Sequence, residues 1–251
     1  MKKRTVIANW KMNPQDIDTA ASIFGDTEKV SSTLKNTVVV VCPPHVYLES
    51  IGDARKKTYL GAQNISALPE GAHTGEISVS MVKNLGATHV IVGHSERRLA
   101  GETNAMVADK VAILQKAGLV PVVCVGETVR DSEGHYLADL AEQLEVGLSK
   151  VQKKNIAKLI VAYEPVWAIG KESAGPATPA DVRETSLYIL RILTRLFGKD
   201  ANKVTILYGG SVDAKNALSF LAEGGVSGLL VGRVSLTPKA FKSLLTAVDN
   251  A

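Results

Sequence analysis

Two apolar runs, LIVAY at residues 159–163 and VTILY at residues 204–208, enclose a segment with the periodicity of a helix. In that segment apolar side chains recur at steps of three and four residues, which places them on one face of a helix. Thr178, which is followed by proline, is a typical N-cap, and Gly198 can end the helix. The stretch therefore predicts a strand, a helix and a second strand, the repeating unit of a parallel sheet.

Apolar runs of the same kind recur along the whole chain, at an average spacing of roughly 30 residues, which is the length of one such unit. The runs lie at residues 5–9, 37–41, 58–62, 89–93, 120–125, 158–163, 204–208 and 227–231. Most are apolar almost throughout, as in parallel strands that are covered on both faces. Such units either close into a barrel or remain an open, doubly wound sheet. Eight runs at this average spacing favour the α/β class and an eight-stranded parallel β/α barrel, formed as a single domain by residues 1–251.

The composition is that of a globular protein with a sizeable core, because 45% of the residues are apolar and 22% are charged. The net charge of +4 comes from 29 basic and 25 acidic residues scattered along the chain. A nucleic-acid-binding surface requires clustered basic residues, so we predict no nucleic-acid partner. No run approaches the roughly 20 apolar residues that span a bilayer, and the first residues do not form a signal peptide. We predict a cytoplasmic protein with no membrane partner.

The two cysteines, Cys42 and Cys124, each lie in or next to an apolar run. We predict two reduced, buried thiols, as in proteins of a reducing compartment. The sequence offers too few ligands around them for a zinc site, so we predict no metal.

Polar residues and glycines follow five of the predicted strands, at the points where the strands end. They are Asn9 and Lys11 after the first strand, His94, Ser95, Glu96, Arg97 and Arg98 after the fourth, Glu164 after the sixth, Gly209, Gly210 and Ser211 after the seventh, and Gly232 and Arg233 after the eighth. In a parallel β/α barrel these segments lie at one end, where active sites are built. Glycines after the seventh and eighth strands indicate phosphate binding, because their backbone N–H groups can approach an anion closely. A tight turn is the alternative interpretation of the paired glycines.

The titratable residues in this set have structural alternatives as well. Glu164 follows an apolar run and is either an ion-pair partner or a general base. Lys11 is either a surface lysine or half of a buried pair with Glu96. His94 begins a predicted helix, where the helix dipole favours the neutral imidazole. We expect the other four histidines at the surface or at the boundaries of elements.

The motifs of the chain, in this order and spacing, resemble those of the triosephosphate isomerase family from end to end. They are NWKMN at 9–13, GAQN at 61–64, TGE at 74–76, GHSERR at 93–98, CVGE at 124–127, YEPVWAIG at 163–170, YGGSV at 208–212 and LVG at 230–232. The resemblance implies interconversion of dihydroxyacetone phosphate and D-glyceraldehyde 3-phosphate, in glycolysis and gluconeogenesis, without a cofactor or metal.

The resemblance also assigns roles to residues at the strand ends. It implies that Glu164 abstracts the carbon-bound proton and that neutral His94 polarises the carbonyl and moves protons between the oxygens. Lys11 adds positive charge beside the enediolate and the phosphate, and Asn9 donates a hydrogen bond. Backbone amides that bind the phosphate are those of Gly170, Ser211, Gly232 and Arg233. Ser95 and Glu96 orient His94 and Lys11, and Ile169 and Leu230 cover Glu164.

By the same resemblance, the loop at residues 72–76 inserts into a second subunit of a homodimer. Thr74 then lies near the partner's active site, and Glu76 pairs with Arg97 across the interface. The sequence departs from the family pattern at Arg233, where many members have glycine, and at residues 171–177, where the active-site lid is two residues longer. The loop after residue 127 is one residue shorter.

Two other functions fit parts of the pattern. Another barrel that acts on a phosphorylated sugar would share the glycines but not His94 together with Glu164. A catalytically silent barrel that only binds phosphate could lose Lys11, His94 or Glu164 without penalty. The presence of all three favours the isomerase.

Overall fold

Eight parallel strands close into a barrel in the computed structural model, which describes residues 3–168 and 175–251. The strands are β1 (Arg4–Asn9), β2 (Thr37–Cys42), β3 (Tyr59–Ala62), β4 (His89–Val92), β5 (Val120–Val125), β6 (Ile160–Tyr163), β7 (Thr205–Tyr208) and β8 (Gly228–Val231). Each strand pairs with the next one in the chain, and β8 pairs with β1. The predicted eight-stranded β/α barrel is confirmed, and the open, doubly wound alternative is wrong.

Helices cover the outside of the barrel. In the described ranges they are α1 (Ile17–Ser31), α2 (Leu48–Ala54), α3 (Val79–Asn84), α4 (Ser95–Leu99), α5 (Asn104–Ala117), α6 (Tyr136–Gly147), α7 (Pro179–Phe197), α8 (Ala217–Glu223) and α9 (Pro238–Asp249). The predicted N-cap of α7 is confirmed, because the Thr178 hydroxyl accepts the backbone N–H of Asp181, and Gly198 follows the last turn with a positive φ. Pro238 is the first residue of α9, but the side chain of Thr237, which precedes it, makes no capping hydrogen bond.

The apolar strands are buried on both faces, which explains why they do not alternate. On β1, Val6 and Ala8 pack outward against the helices, whereas Ile7 packs inside the barrel. Cys42 and Cys124 belong to the inner cluster, and both are buried free thiols as predicted. Within the described part of the chain, no helix combines the length and apolar character needed to cross a membrane.

Candidate active site

Glu164 and His94 face each other at the mouth of the barrel, the end at which the carboxyl ends of the strands open. The Glu164 carboxylate lies directly after β6, and its Oε1 is 3.1 Å from Nε2 of His94, which follows β4. Its other oxygen, Oε2, accepts the backbone N–H of Ser95 at 3.2 Å. Both side chains are almost completely buried. The structure therefore brings Glu164 and His94 together, as their predicted places at the ends of two strands imply.

Two glycines hold the backbone and side chain of Glu164 in place. The Glu164 N–H donates to the carbonyl of Val125 at 2.8 Å. A Cβ on Gly126 would overlap the carbonyl oxygen of Glu164, and a Cβ on Gly209 would lie 2.9 Å from its Cγ. Only glycine fits at these positions without displacing the backbone of Glu164 at the first and its side chain at the second. Sequence reasoning found both residues as parts of motifs but missed these packing roles.

His94 is fixed by the turn that precedes it and by the helix that follows it. Gly93 has a φ of 69°, and its N–H donates to the buried Glu102 carboxylate at 2.9 Å. The carbonyl of Gly93 accepts a hydrogen bond from Arg98 Nε at 2.7 Å. At the start of α4, the backbone N–H of Glu96 donates to His94 Nδ1 at 3.2 Å. Nδ1 is therefore the acceptor of the ring, and a neutral imidazole carries its proton on Nε2.

The charge on His94 depends on where the Glu164 carboxylate lies. Burial lowers the pKa of the imidazole, but the adjacent carboxylate raises it, and the net effect is a pKa above the usual 6.5. Lys11 acts in the opposite direction, because its positive charge lowers this pKa. If the carboxylate moved away from the ring, its contribution would disappear and burial would favour the neutral form.

Lys11 lies in a strained loop beside the histidine. Its φ of 55° is the one positive value at a non-glycine position in residues 3–168 and 175–251. Its N–H donates to Asn9 Oδ1 at 3.0 Å, and Gln63 Nε2 donates to its carbonyl at 2.8 Å. Lys11 Nζ is 2.6 Å from Glu96 Oε1, but the two side chains are 36% and 59% exposed. The alternative of a buried pair is therefore wrong, because the mouth is open to solvent at this point.

Glu96 contacts Lys11, the residue that it was expected to orient, but Ser95 contacts a different residue from the expected one. We expected Ser95 to orient His94, but its backbone N–H binds the Glu164 carboxylate instead. The backbone of Glu96 contacts the histidine, and its side chain contacts Lys11. These contacts arise because both residues belong to the first turn of α4, whose free N–H groups point into the mouth.

The predicted phosphate-binding glycines follow β7 and β8. A Cβ on Gly210 would overlap the Tyr208 hydroxyl, and a Cβ on Gly232 would lie 3.7 Å from Lys11 Cε. Gly232 thus brings the end of β8 next to the lysine. Arg233 begins a short 3-10 turn without a positive φ, so an arginine is accommodated there. The predicted residues Ile169 and Gly170, and most of the lengthened lid segment, lie outside the described residues.

Glu127, for which the sequence predicted no role, anchors the chain next to Glu164. Its buried carboxylate accepts hydrogen bonds from the Tyr163 hydroxyl at 2.8 Å and from Trp167 Nε1 at 2.7 Å. The guanidinium of Arg130 lies over the Trp167 ring, 5.8 Å from its centroid, and pairs with Glu184 of α7. The residues on both sides of segment 169–174 are therefore linked through one arginine.

A cavity of about 320 Å³ extends from the candidate catalytic residues toward the predicted dimer contacts. Asn9, Lys11 and His94 line this cavity, and so do Glu76 and Arg97. Among the residues that the structure describes, no group of three His, Cys, Asp or Glu side chains is arranged to hold a metal ion.

Comparisons with known proteins agree over nearly the whole chain. The family model described as triosephosphate isomerase matches residues 4–248. A triosephosphate isomerase from Marinobacter nauticus is 41% identical over 250 residues, which cover 97% of each chain. One from Dictyoglomus thermophilum is 37% identical, covering 98% of this chain and 99% of the relative, and one from Shewanella woodyi is 39% identical, covering 100% and 99%. The chain belongs to the triosephosphate isomerase family.

Proposed function

We propose that this isomerase interconverts dihydroxyacetone phosphate and D-glyceraldehyde 3-phosphate, with Glu164, His94 and Lys11 as its catalytic residues. The observation that carries the proposal is the buried contact between the Glu164 carboxylate and His94 Nε2, 3.1 Å apart, at the ends of two different strands. The two substrates differ in the position of one carbon-bound proton and one carbonyl group on adjacent carbons. Their interconversion requires a base for the proton and a hydrogen-bond donor for the oxygens.

Glu164 is the proposed base. In the described arrangement its two oxygens contact His94 Nε2 and the N–H of Ser95, so the carboxylate must turn toward the substrate before it can remove a proton. The missing side chain of Gly209 leaves space beside Cγ for this rotation. A carboxylate transferred from these donors into a closed, water-poor site becomes a stronger base.

His94 is the proposed proton donor to the substrate oxygens. Because Nδ1 accepts the Glu96 N–H, the proton on Nε2 is the one available to the substrate. Turning Glu164 away removes the negative charge that raises the pKa of the ring, and burial then favours the neutral imidazole. Movement of the base and neutralisation of the histidine are thus coupled.

Lys11 is the proposed source of positive charge for the enediolate and for the phosphate. Its side chain lies next to Gly232 and lines the same cavity as His94, so it can contact both parts of the substrate. Asn9 Oδ1 already accepts a hydrogen bond from Lys11, which leaves the amide group of Asn9 to donate. The phosphate would be bound by the backbone amides of Gly170, Ser211, Gly232 and Arg233, with Leu230 as an apolar cover over Glu164.

We also propose that the protein works as a cytoplasmic homodimer with one catalytic domain over residues 1–251. The cavity supports the dimer, because it joins the catalytic residues to Glu76 and Arg97 and could receive Thr74 of a second subunit. Met12 and Val46, which follow the cavity-lining Lys11 and His45, are 83% and 80% exposed in the single chain. Large exposed apolar side chains beside a cavity are typical of a protein interface.

The test is an isomerase assay with dihydroxyacetone phosphate, coupled to a dehydrogenase that consumes D-glyceraldehyde 3-phosphate. We expect rapid turnover by the wild-type protein and almost none by Glu164→Gln, which keeps the shape of the side chain but is not a base. Binding of inorganic phosphate without turnover would instead support the silent barrel. Turnover of a longer phosphorylated sugar in preference to the triose would support the other kind of barrel enzyme.

A further inference from the structure

The end of the barrel opposite the mouth carries a concentration of lysines. The segments that lead into β6 and β7, residues 148–159 and 198–204, contain six lysines and one acidic residue. The six are Lys150, Lys153, Lys154, Lys158, Lys199 and Lys203, and we refer to them as the lysine face. Because about 40 residues separate its two parts in the sequence, the cluster exists only in the folded protein.

The two segments form one continuous patch. Their 3-10 turns, Lys153–Lys158 and Gly198–Lys203, lie against each other before a pair of hydrogen-bonded strands. The pKa of the Asp200 carboxyl shows that lysines of both segments lie near it. The hydrogen bond and charge of Lys203 lower this pKa most, and the charges of Lys199 and Lys153 lower it to a smaller extent. Lysines from both segments thus surround one carboxylate.

Most of the charge on this patch is not neutralised. Lys150 pairs with Asp109 and Lys203 pairs with Asp200. Among the described residues, none of the ion pairs includes one of the other four side chains of the lysine face, and all four are exposed. Like charges held close together repel one another, so the patch is a place where a polyanion would be bound favourably.

We propose that the lysine face binds the phosphate backbone of nucleic acid, without regard to base sequence. Protein interfaces are depleted in lysine and depend on aromatic or arginine anchors. None of the large apolar side chains exposed in the described residues falls within 148–159 or 198–204. A membrane anchor requires a second, apolar or lipid signal besides basic charge. Contacts of lysines with phosphates, by contrast, are sufficient for sequence-independent binding to nucleic acid.

The lysine face is separate from the isomerase site. It precedes β6 and β7, whereas the proposed catalytic residues follow the strands. The four residues of β6 span about 13 Å at 3.3 Å per residue, so a ligand at one end does not contact the other. The sequence predicted no nucleic-acid partner because its basic residues are scattered, and the structure shows that folding gathers six of them.

The test measures anisotropy of a fluorescent 20-base-pair DNA duplex of random sequence, with the full-length protein, between 50 and 200 mM salt. The face variant carries Lys153→Ser, Lys154→Ser, Lys158→Ser and Lys199→Ser. The matched control carries Lys29→Ser, Lys116→Ser, Lys239→Ser and Lys242→Ser, so both variants lower the formal net charge from +4 to zero. We expect the wild type to bind with a slope of log K against log salt of about −4, since each phosphate contact contributes about −0.9.

The face variant should lose at least about tenfold in affinity, and the control less than about twofold, while both keep wild-type isomerase activity. Equal losses in the two variants would show that net charge alone is responsible, and would overturn the proposal. So would the absence of binding at 50 mM salt, or binding to phosphatidylserine vesicles that the duplex does not displace. Should the fourfold variant fold poorly by circular dichroism, Lys154→Glu provides the same comparison at a single exposed position.

Discussion

The two ends of this barrel hold charge in opposite ways. At the mouth, charged groups lie within contact distance of one another, with Glu164 against His94 and Lys11 against Glu96. At the other end, most of the lysine face is exposed and without carboxylate partners among the described residues. Function at the mouth therefore depends on the position of each atom, whereas the proposed binding at the opposite end depends on the number of charges.

The same contrast between the two ends of the barrel is found in the histidines at the two ends of strand β4. His94 follows the strand at the mouth, and the adjacent Glu164 carboxylate raises its pKa against the effect of burial. His89 begins the strand at the opposite end, where burial alone lowers its pKa to about 4. Its Nδ1 lies 2.8 Å from the Thr88 hydroxyl, and its ring packs edge-on against Tyr59. The pKa of one histidine therefore depends on a neighbouring charge, and the pKa of the other depends on burial.

The largest effect on activity should come from shortening the side chain of Glu164, the proposed base. Glu164→Asp withdraws the carboxylate by one methylene group, and a misplacement of about 1 Å is enough to cost orders of magnitude in rate. We expect kcat to fall by at least about a hundredfold, with little change in KM or in thermal stability. The control is Glu133→Asp, the same change at an exposed carboxylate, which should leave kcat unchanged. Wild-type turnover by Glu164→Asp would remove Glu164 from the mechanism.

The second effect is on stability and arises at the far end of β4. In the unfolded chain His89 has a pKa near 6.5, and folding lowers it to about 4, so the unfolded state binds more protons between these values. The unfolding free energy is therefore not reduced by His89 above pH 6.5. As the pH falls toward 4, it decreases by at most about 3 kcal/mol. His89→Phe should flatten the dependence of the unfolding free energy on pH in this range. The unfolding free energy is measured by urea titration at several pH values. If it depended on pH in the variant as it does in the wild type, this assignment would be wrong.

A third prediction concerns the space around the base. In Gly209→Ala the new methyl group would lie 2.9 Å from Glu164 Cγ, so the carboxylate must shift by a few tenths of an ångström. We expect kcat to fall about tenfold to a hundredfold, because catalytic geometry is held within about 0.5 Å. Gly25→Ala in α1 is the matched control, since a methyl group there meets no other atom within 4 Å. That variant should be fully active and as stable as the wild type, or more so. Equal activities in the two alanine variants would show that the position of Glu164 is less constrained than its contacts indicate.

The sequence predicted the barrel because its strands are buried on both faces and therefore apolar almost throughout. It also predicted the mouth, because residues after parallel strands must meet at one end. It did not predict the packing of Gly126 and Gly209 against Glu164, since those contacts join residues that are far apart in the chain. The lysine face was missed for the same reason: its clustering results from the pairing of β6 with β7.

A fourth prediction tests whether the two histidines respond differently to ligand. When a non-reactive triose phosphate analogue binds, Glu164 should turn away from His94, and the pKa of His94 should fall because the charge that raises it has moved. The pKa of His89 should stay the same, since nothing at its end of the barrel changes. NMR titration of both rings, with and without the analogue, measures this directly. A pKa of His94 that remained raised in the complex would exclude the neutral imidazole as the proton donor.

The smallest effect should follow from restoring the glycine that many family members have at position 233. Arg233 has no positive φ, so the backbone there does not require glycine. Arg233→Gly should therefore lower stability by about 0.5–1 kcal/mol, because glycine increases the entropy of the unfolded chain. It should change kcat/KM by less than about threefold, since the backbone N–H that is proposed to bind phosphate is retained. Arg233→Ala distinguishes an effect of the backbone from an effect of the charge. An increase in KM that both variants share, and that becomes smaller at high salt, would come from the missing guanidinium. If only the glycine variant were altered, and its kcat increased, the arginine would instead be restricting a backbone conformation that the reaction needs.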